Sequence, residues 1–286
     1  MVASRDRLKP MSALATAIDA AGEEAGCPEN GHFGPALLAW LSHVTHFDHS
    51  VTFAYRGTAR PPCLFETFNP AESHIFVALY QEGPYRLDPF YQTAVERRAG
   101  FWRMRELAPD RFYASEYFRT YYEKTGLAEE VGFFVPLDSG VTVVVSLMRL
   151  DKSKAFSAVQ IRALRELAPV VLSLVRLAWA DVAIEDPNAG QGNGGEHTRS
   201  EPDNPSQISA LMTTDEDGNP LLTPREIEVV DLVLKGHSSD SIAALLGMTP
   251  GTVKVHRRNI YRKLHIRSQA ELFAWFVANS GVAKGE

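Results

Sequence analysis

The sequence has little cysteine and no long hydrophobic run. Cys27 and Cys63 are the only cysteines among 286 residues, too few for a disulfide framework and unlike metal ligands in their spacing. The apolar stretch Val170–Leu174 is far shorter than the roughly 20 residues that span a bilayer. Acidic residues interrupt the N-terminal Ala-rich stretch that a secretory signal would need. These absences predict a cytoplasmic protein with no membrane partner.

Enzyme fingerprints are missing as well. The sequence contains no nucleophile elbow, no Walker loop and no nicotinamide-binding fingerprint. His43, His46, Asp48 and His49 lie close together in the chain. They straddle a predicted helix end and a predicted strand start, so we do not expect their side chains to converge on a metal ion. The sequence therefore predicts no catalytic residue, no metal and no cofactor.

The composition is that of a globular protein, but its charge is uneven. Hydrophobic residues make up 45% of the chain and charged residues 22%, and the net charge is −6. Residues 221–282 contain eight Lys or Arg and five Asp or Glu, which gives +3 there against −9 for the remainder. A basic C-terminal block on an acidic protein favours a nucleic acid partner.

Composition also divides the chain. Residues 184–220 are rich in Gly, Pro, Asn and acidic residues, which predicts a flexible acidic linker, since such a segment buries too little apolar surface to fold. We assign residues 1–33 to an N-terminal extension, 34–183 to a sensing domain and 221–282 to a DNA-binding domain. Two domains fit a chain of this length.

The sensing domain alternates helices and strands. We predict helices over 34–44, 70–80, 88–97 and 112–124, and strands over 50–56, 63–68, 130–137 and 141–150. Ser157 and Gln160 form a capping box that opens a helix running to about residue 182. The apolar stripe of this helix is a candidate dimer seam or a cover for the sheet. This order predicts an α+β fold with an antiparallel sheet of GAF or PAS type.

The C-terminal block predicts four short helices. Thr223 caps the first, with Pro224 in its first turn and Glu226 completing a capping box, and Gly236 ends it. The second covers 238–246, the third 252–265 and the last 268–279. The second and third, joined by a short turn that contains glycine, form a helix-turn-helix.

A helical wheel sorts the third of these helices into two faces. Ile260 and Leu264 fall on the same side as Val253 and form its buried stripe. The outward face carries basic residues beside one small apolar residue: Lys254, Val255, Arg258 and Arg262. Lys or Arg can hydrogen-bond guanine edges in the major groove, and Val can touch a thymine methyl group. Arg257 lies nearer the core side, which suits a phosphate contact or an internal ion pair.

These motifs together resemble the LuxR-type (GerE-like) DNA-binding domain. The resemblance rests on Leu222–Val230, Lys235-Gly236, Ile242-Ala243, Leu246-Gly247 and the run from Thr252 to Leu264. It implies that Lys254, Val255 and Arg258 read bases, and that Thr252, Arg257 and Lys263 contact phosphates. At one position the chain departs from the pattern, because Ser238-Ser239-Asp240-Ser241 stands where the family more usually has Asn-Lys-Glu.

The sensing domain resembles two kinds of LuxR-type regulator. Phe76, Tyr80, Asp88, Trp102 and Gly132 follow the pattern of acyl-homoserine-lactone receptors, which implies that Tyr80 and Asp88 bind an effector amide and that Trp102 lines the pocket. Phe76 stands where those receptors have a Trp that donates to the lactone, and Phe has no donor. A second resemblance, over Glu116–Pro136, is to GAF-like LuxR regulators whose ligand is unassigned, which implies another small molecule in a related pocket.

The sequence therefore predicts a transcription factor that binds a small effector and, as a homodimer, double-stranded operator DNA. Its alternatives are a quorum-sensing receptor for an acyl-homoserine lactone, and a ligand-binding or interaction module whose helix-turn-helix no longer works on DNA.

Overall fold

The computed structural model describes residues 2–25, 31–123, 126–185 and 221–279. These residues form two compact units. Unit 1 comprises the described residues within Met1–Val77, Phe90–Leu107 and Thr125–Pro187, and unit 2 those within Ala78–Pro89, Ala108–Lys124 and Asn188–Glu286. Most of the linker predicted at 184–220 lies outside the described residues.

Unit 1 is built on a five-stranded sheet. Its strands are β1 (His49–Tyr55), β2 (Cys63–Glu66), β3 (Gly100–Arg103), β4 (Leu127–Pro136) and β5 (Thr142–Leu150). The order across the sheet is β2-β1-β5-β4-β3, and every neighbouring pair is antiparallel. The antiparallel sheet predicted from the sequence is thus confirmed, with one additional strand, β3.

Three helices share one hydrophobic core with one face of this sheet: α1 (Val2–Glu24), α2 (Phe33–Ser42) and α6 (Ala158–Ala178). The predicted capping box of Ser157 and Gln160 begins α6. The apolar stripe of α6 is buried in the same core cluster as Phe133 and Val145 of the sheet. Of the two roles considered for this stripe, the structure shows the second, because it covers the sheet.

Helix α1 belongs to this core as well. The prediction that residues 1–33 are an extension is wrong for α1, because Ala17 and Ala21 are fully buried in the cluster. The Glu24 carboxylate accepts hydrogen bonds from the backbone N–H groups of His32 and Phe33, which ties the end of α1 to the start of α2. Small Ala side chains allow this close packing but give only a weak hydrophobic pattern in the sequence.

The other helical segments are short, and several are irregular. They are α3 (Pro70–Ser73), α4 (Pro89–Val95) and α5 (Met104–Leu107), together with π-helical turns at His74–Leu79 and Phe118–Tyr122 and 3-10 turns at Pro84–Leu87, Phe112–Ala114 and Asp151–Ser153. The helix predicted over 70–80 is present, with α3 continuing directly into the π-helical turn His74–Leu79, and the helix predicted over 88–97 is the shorter α4. Only the helix predicted over 112–124 is broken, into the turns Phe112–Ala114 and Phe118–Tyr122. Bulky aromatic rings contact one another at close sequence spacing here, as in the stacked pair Phe118 and Tyr122.

The C-terminal residues of unit 2 form α7 (Pro224–Lys235), α8 (Ser239–Leu246), α9 (Pro250–Lys263) and α10 (Gln269–Asn279). All four predicted helices are present, with boundaries within about two residues of the prediction. Each of the four helices contributes a fully buried residue, and these are Val229, Ile242, Val253 and Phe276. No helix in the described part of the chain is long and apolar enough to cross a membrane.

Candidate functional sites

Local capping fixes the geometry of the helix-turn-helix. The Thr223 hydroxyl accepts from the Glu226 N–H, and the Glu226 carboxylate accepts from the Thr223 N–H, so α7 begins with the predicted capping box. Gly236 ends α7 at φ 93° and Gly247 ends α8 at φ 64°, the left-handed conformation that favours glycine. Thr249 then caps α9. Three residues therefore separate α8 from α9.

The two faces of α9 match the helical wheel. Val253, Ile260 and Leu264 are buried. Lys254, Val255 and Arg258 are all exposed, and Val255 retains 45% of its accessible surface. The structure thus presents side chains suited to reading base edges on one exposed surface of one helix.

An open depression of about 440 Å³ lies beside this surface. It is lined by residues of α8, of α9 and of the segment that follows α9: Ser239, Lys254, Arg257, Arg258, Tyr261, Ile266 and Arg267. Four of the seven are Lys or Arg, so the depression suits an anionic ligand.

The residues predicted to contact phosphates have partners within unit 2. The Thr252 and Thr249 hydroxyls are 2.9 Å apart, in the exposed first turn of α9. Arg257 donates to Tyr261 Oη at 3.2 Å and to Gln269 Oε1 at 3.4 Å, so its internal contacts are neutral hydrogen bonds. Arg257 also lines the depression, which keeps its predicted phosphate contact sterically open.

Lys263 forms an ion pair that the sequence does not predict. Its Nζ donates to Glu226 Oε2 at 2.6 Å, and the Glu226 side chain is only 5% exposed. Burial would raise the pKa of Glu226, but hydrogen bonds from Lys263 and Thr223 and the Lys263 charge lower it overall. Glu226 is therefore ionised, and it connects the start of α7 to the end of α9. No local sequence signal indicates this pair, because its members are 37 residues apart.

The four residues predicted for the effector pocket divide between the units. In unit 1, the Phe76 ring stacks on Phe68 at a centroid distance of 4.5 Å. Trp102 lies on β3, with the Arg98 guanidinium 4.6 Å from its ring centroid. In unit 2, Tyr80 and Asp88 are both buried. Asp88 Oδ2 accepts a hydrogen bond of 3.3 Å from Tyr122 Oη.

Trp102 belongs to a row of residues that crosses the whole sheet. Glu66, Val51, Ser146, Gly132 and Trp102 lie directly opposite one another on β2, β1, β5, β4 and β3. Side chains alternate along strands, so this row is on the face opposite the α1, α2 and α6 core. We call this face of the sheet the aromatic face, after its residues Phe53, Tyr55, Trp102 and Phe134.

Buried polar atoms on the aromatic face have no hydrogen-bond partner in the protein. They are His49 Nδ1, Glu66 Oε2, Trp102 Nε1 and Thr142 Oγ1. Strand register places all four side chains on this face, since His49 is opposite Met148 and Thr142 is opposite Tyr55. Buried polar groups in folded proteins nearly always have a partner, so this concentration is unusual.

The histidines near β1 lie beside different acidic side chains. His46 Nε2 lies 3.5 Å from Asp48, whereas His49 Nε2 lies 3.7 Å from Glu72. Among the residues that the structure describes, no three His, Cys, Asp or Glu side chains are arranged to hold a metal ion.

A helix-turn-helix with a basic, exposed second helix defines a DNA-binding protein, and comparisons give its family. The family model for bacterial regulatory proteins of the luxR family matches residues 220–276. A putative HTH-type transcriptional regulator in the exeN 3' region of Aeromonas salmonicida is 37% identical over 192 residues, or 66% of this chain and 93% of that protein. This chain therefore belongs to the luxR family, and it is a DNA-binding transcriptional regulator.

Two further similarities are partial. The nitrate/nitrite response regulator NarP of Escherichia coli K12 is 39% identical over 71 residues, which is 25% of this chain and 33% of NarP. The crystal structure of the VqsR LBD domain from Pseudomonas aeruginosa covers 56% of this chain and 94% of its own, with 26% identity and a TM-score of 0.46.

Proposed function

We propose that α9 enters the major groove of operator DNA, with Lys254, Val255 and Arg258 reading base edges. Thr252, Arg257 and Lys263 contact backbone phosphates in this arrangement. The observation that carries the proposal is the exposure of the three base-reading side chains beside the basic depression. Phosphate contacts fix the register of the helix, and base contacts supply the specificity.

We further propose that the protein binds its operator as a homodimer in the cytoplasm. One recognition helix reads only a few base pairs, which gives too little discrimination among the competing sites of a genome. Two copies related by a twofold axis would read two half-sites about one helical turn apart.

The test of the DNA proposal is the salt dependence of binding, measured by fluorescence anisotropy on selected operator sequences. We expect affinity to fall steeply as salt rises, because each neutralised phosphate releases counterions. Arg258→Ala should cost about 1–3 kcal/mol on the preferred sequence and relax the choice of base. Arg176→Ala, which removes an exposed charge from α6 in unit 1, is the matched control.

Unchanged sequence preference in Arg258→Ala would rule out the docking of α9 proposed here. Affinity that does not respond to salt would instead favour the alternative in which the helix-turn-helix no longer works on DNA.

We propose that the second ligand is a small effector bound at the aromatic face of the sheet. The four buried polar atoms without protein partners support this, since a ligand that pairs with them removes a desolvation cost. Trp102 Nε1 supplies a donor, while Glu66 supplies an acceptor at the other end of the cross-strand row. Tyr80 and Asp88, which belong to unit 2, stay effector contacts predicted from the sequence alone.

A thermal-shift titration tests this proposal with acyl-homoserine lactones and a panel of common metabolites. A ligand at a hundredfold its Kd adds about 2.7 kcal/mol, enough to raise Tm by several degrees. The shift should shrink in Trp102→Phe but persist in Trp275→Phe, which removes an indole from α10 instead. A lactone-specific shift would make the protein a quorum-sensing receptor. An undiminished shift in Trp102→Phe would place the effector elsewhere.

A further inference from the structure

The start of β1 and the end of β2 bring a histidine and a carboxylate together on the aromatic face. Glu66 lies opposite Val51 in the sheet, and His49 is two residues before Val51 on the same face. Diagonal neighbours of this kind are about 7–8 Å apart, within reach of long side chains. Glu72 of α3 adds a second carboxylate, whose Oε1 lies 3.7 Å from His49 Nε2. We call this part of unit 1 the β1–β2 corner, defined by His49, Glu66 and Glu72.

Two buried atoms at the β1–β2 corner are hydrogen-bond acceptors. Ser73 Oγ donates to Glu66 Oε1 at 2.7 Å, whereas the buried Glu66 Oε2 has no partner among the described residues. His49 Nδ1 is also buried without a partner in the described part of the chain. The other ring nitrogen, Nε2, faces the Glu72 carboxylate and therefore carries the ring proton, which leaves Nδ1 as an acceptor. A ligand that fits this corner must donate hydrogen bonds.

The charge of the β1–β2 corner is negative. Within the described residues, no Lys or Arg side chain pairs with Glu66 or Glu72. Arg103 and Arg149 are the only basic residues in the five strands, and both lie on the face opposite the aromatic face, because side chains alternate along a strand. A carboxylate that is partly removed from water and has no cationic partner favours a positively charged ligand.

Two phenylalanine rings border the corner and favour an organic cation. The Phe68 ring lies 5.2 Å from the His49 ring and stacks on Phe76 at 4.5 Å. Aromatic faces attract ammonium groups, which also carry several N–H donors on one atom. A metal ion fits less well, since no three His, Cys, Asp or Glu side chains in the described ranges are arranged to hold one.

We propose that the effector is an organic amine, whose positively charged nitrogen donates to Glu66 Oε2 and His49 Nδ1 beside the Phe68 ring. The apolar part of the amine lies along the aromatic face. This inference rests on the effector binding proposed above and names the class of ligand. An acyl-homoserine lactone has no positive charge, so it would leave the Glu66 carboxylate without a counter-ion.

The β1–β2 corner can be tested separately from Trp102. Glu66 and Trp102 are at opposite ends of the cross-strand row, four interstrand spacings or about 19 Å apart. Between them, a Cβ atom on Gly132 would stand 2.9 Å from the Phe90 ring, so this ring covers the middle of the row. Substitutions of Glu66 and of Trp102 therefore report on different parts of the face.

The test is a thermal-shift titration of the full-length chain with n-hexylammonium, n-hexanol and n-hexanoate at constant ionic strength. We expect the ammonium probe to bind about tenfold more tightly than hexanol, because hydrogen bonds to charged groups are the stronger ones, and hexanoate to bind most weakly. Glu66→Gln keeps the acceptor for Ser73 but removes the charge, so it should lower the affinity for hexylammonium about tenfold and leave that for hexanol unchanged. Glu166→Gln, which removes an exposed carboxylate from α6, is the matched control.

Equal affinity for hexylammonium and hexanol would overturn the inference, as would a preference for hexylammonium that survives in Glu66→Gln. An equal loss in Glu166→Gln would reduce the preference to net charge and overturn it too. The Tm of ligand-free Glu66→Gln should be unchanged or higher, and a lower Tm would assign Glu66 to the fold instead of the ligand.

The metabolite panel separates this inference from the proposed effector site. A compound whose Tm shift is lost in Trp102→Phe but kept in Glu66→Gln would leave the site on the aromatic face standing and contradict the amine. If no compound of any charge raises Tm, both the effector proposal and this inference fail.

Discussion

The helix-turn-helix and the aromatic face of the sheet differ in whether their polar groups have hydrogen-bond partners. Around α7 and α9, the charged side chains are either paired internally, as Lys263 is with Glu226, or exposed, as Arg258 is. On the aromatic face, four polar atoms are buried without a partner. None of the buried unpartnered atoms lies within the described residues 221–279.

This difference separates two kinds of binding surface. In the helix-turn-helix, a ligand adds contacts to charged side chains that are already paired or solvated. On the aromatic face, each polar group without a protein partner costs about 1–3 kcal/mol unless a polar ligand or a water molecule pairs with it. Removing a polar group from the helix-turn-helix should therefore lower the free energy of unfolding, whereas removing one from the aromatic face should raise it.

The largest expected effect comes from breaking the internal pairing of the helix-turn-helix. Glu226→Ala leaves Lys263 without its partner and removes half of the capping box, which should lower the free energy of unfolding by about 3 kcal/mol. Urea unfolding followed by circular dichroism measures the loss. Glu228→Ala removes an exposed acid paired with Arg225 on the same helix and should change stability by less than about 0.5 kcal/mol. Similar losses in both variants would contradict a special role for Glu226.

Acidification should also remove the contribution of Glu226 to the free energy of unfolding. The pKa of Glu226 in the folded protein lies below its ordinary value of 4.5, so its stabilising effect is present above that value and is lost as pH falls through the folded-state pKa. The difference in unfolding free energy between the unmodified protein and Glu226→Gln should therefore shrink on acidification. A constant difference would show that the charge of Glu226 does not matter.

A smaller effect is expected from the other member of the pair. Lys263→Ala should lower stability by about 1–2 kcal/mol, because a buried carboxylate loses one of its donors. It should also weaken binding to all DNA sequences alike and reduce the salt slope by about one, if Lys263 contacts a phosphate. An unchanged salt slope together with the stability loss would restrict Lys263 to its ion pair.

The smallest effect, of opposite sign, is expected on the aromatic face. Thr142→Val replaces an unpaired buried hydroxyl by a methyl group and should raise the unfolding free energy of the ligand-free protein by about 1 kcal/mol. Thr67→Val is the control, because that hydroxyl accepts from the Ser50 N–H at 2.8 Å and its loss should destabilise. If Thr142→Val also destabilises, the proposed contrast between the two surfaces is wrong.

The sequence predicts the helix-turn-helix closely because its signals are local. Thr223-Pro224, Gly236, Gly247 and Thr249 each begin or end a helix through contacts within a few residues. The spacing along α9 likewise assigns Lys254 and Arg258 to its exposed face without knowledge of the rest of the chain.

Features that depend on distant residues are not predictable in this way. Strand β3 has only four residues, and its pairing with β4 makes it a strand. The Lys263–Glu226 ion pair joins positions 37 residues apart. The buried Ala residues of α1 carry too little hydrophobicity to predict their place in the core. The row from Glu66 to Trp102 exists only once five strands are in register, so no single segment indicates it.

The edges of the sheet restrict how copies of this protein can associate. Both edge strands, β2 and β3, have only four residues, whereas the central β4 and β5 have ten and nine. A short edge exposes few unpaired backbone groups, and Arg103 adds a charged side chain to the β3 edge. A second copy would gain few backbone hydrogen bonds by extending the sheet. We therefore expect a dimer to form through helical surfaces, and this architecture to resist the edge-to-edge growth that leads to aggregates.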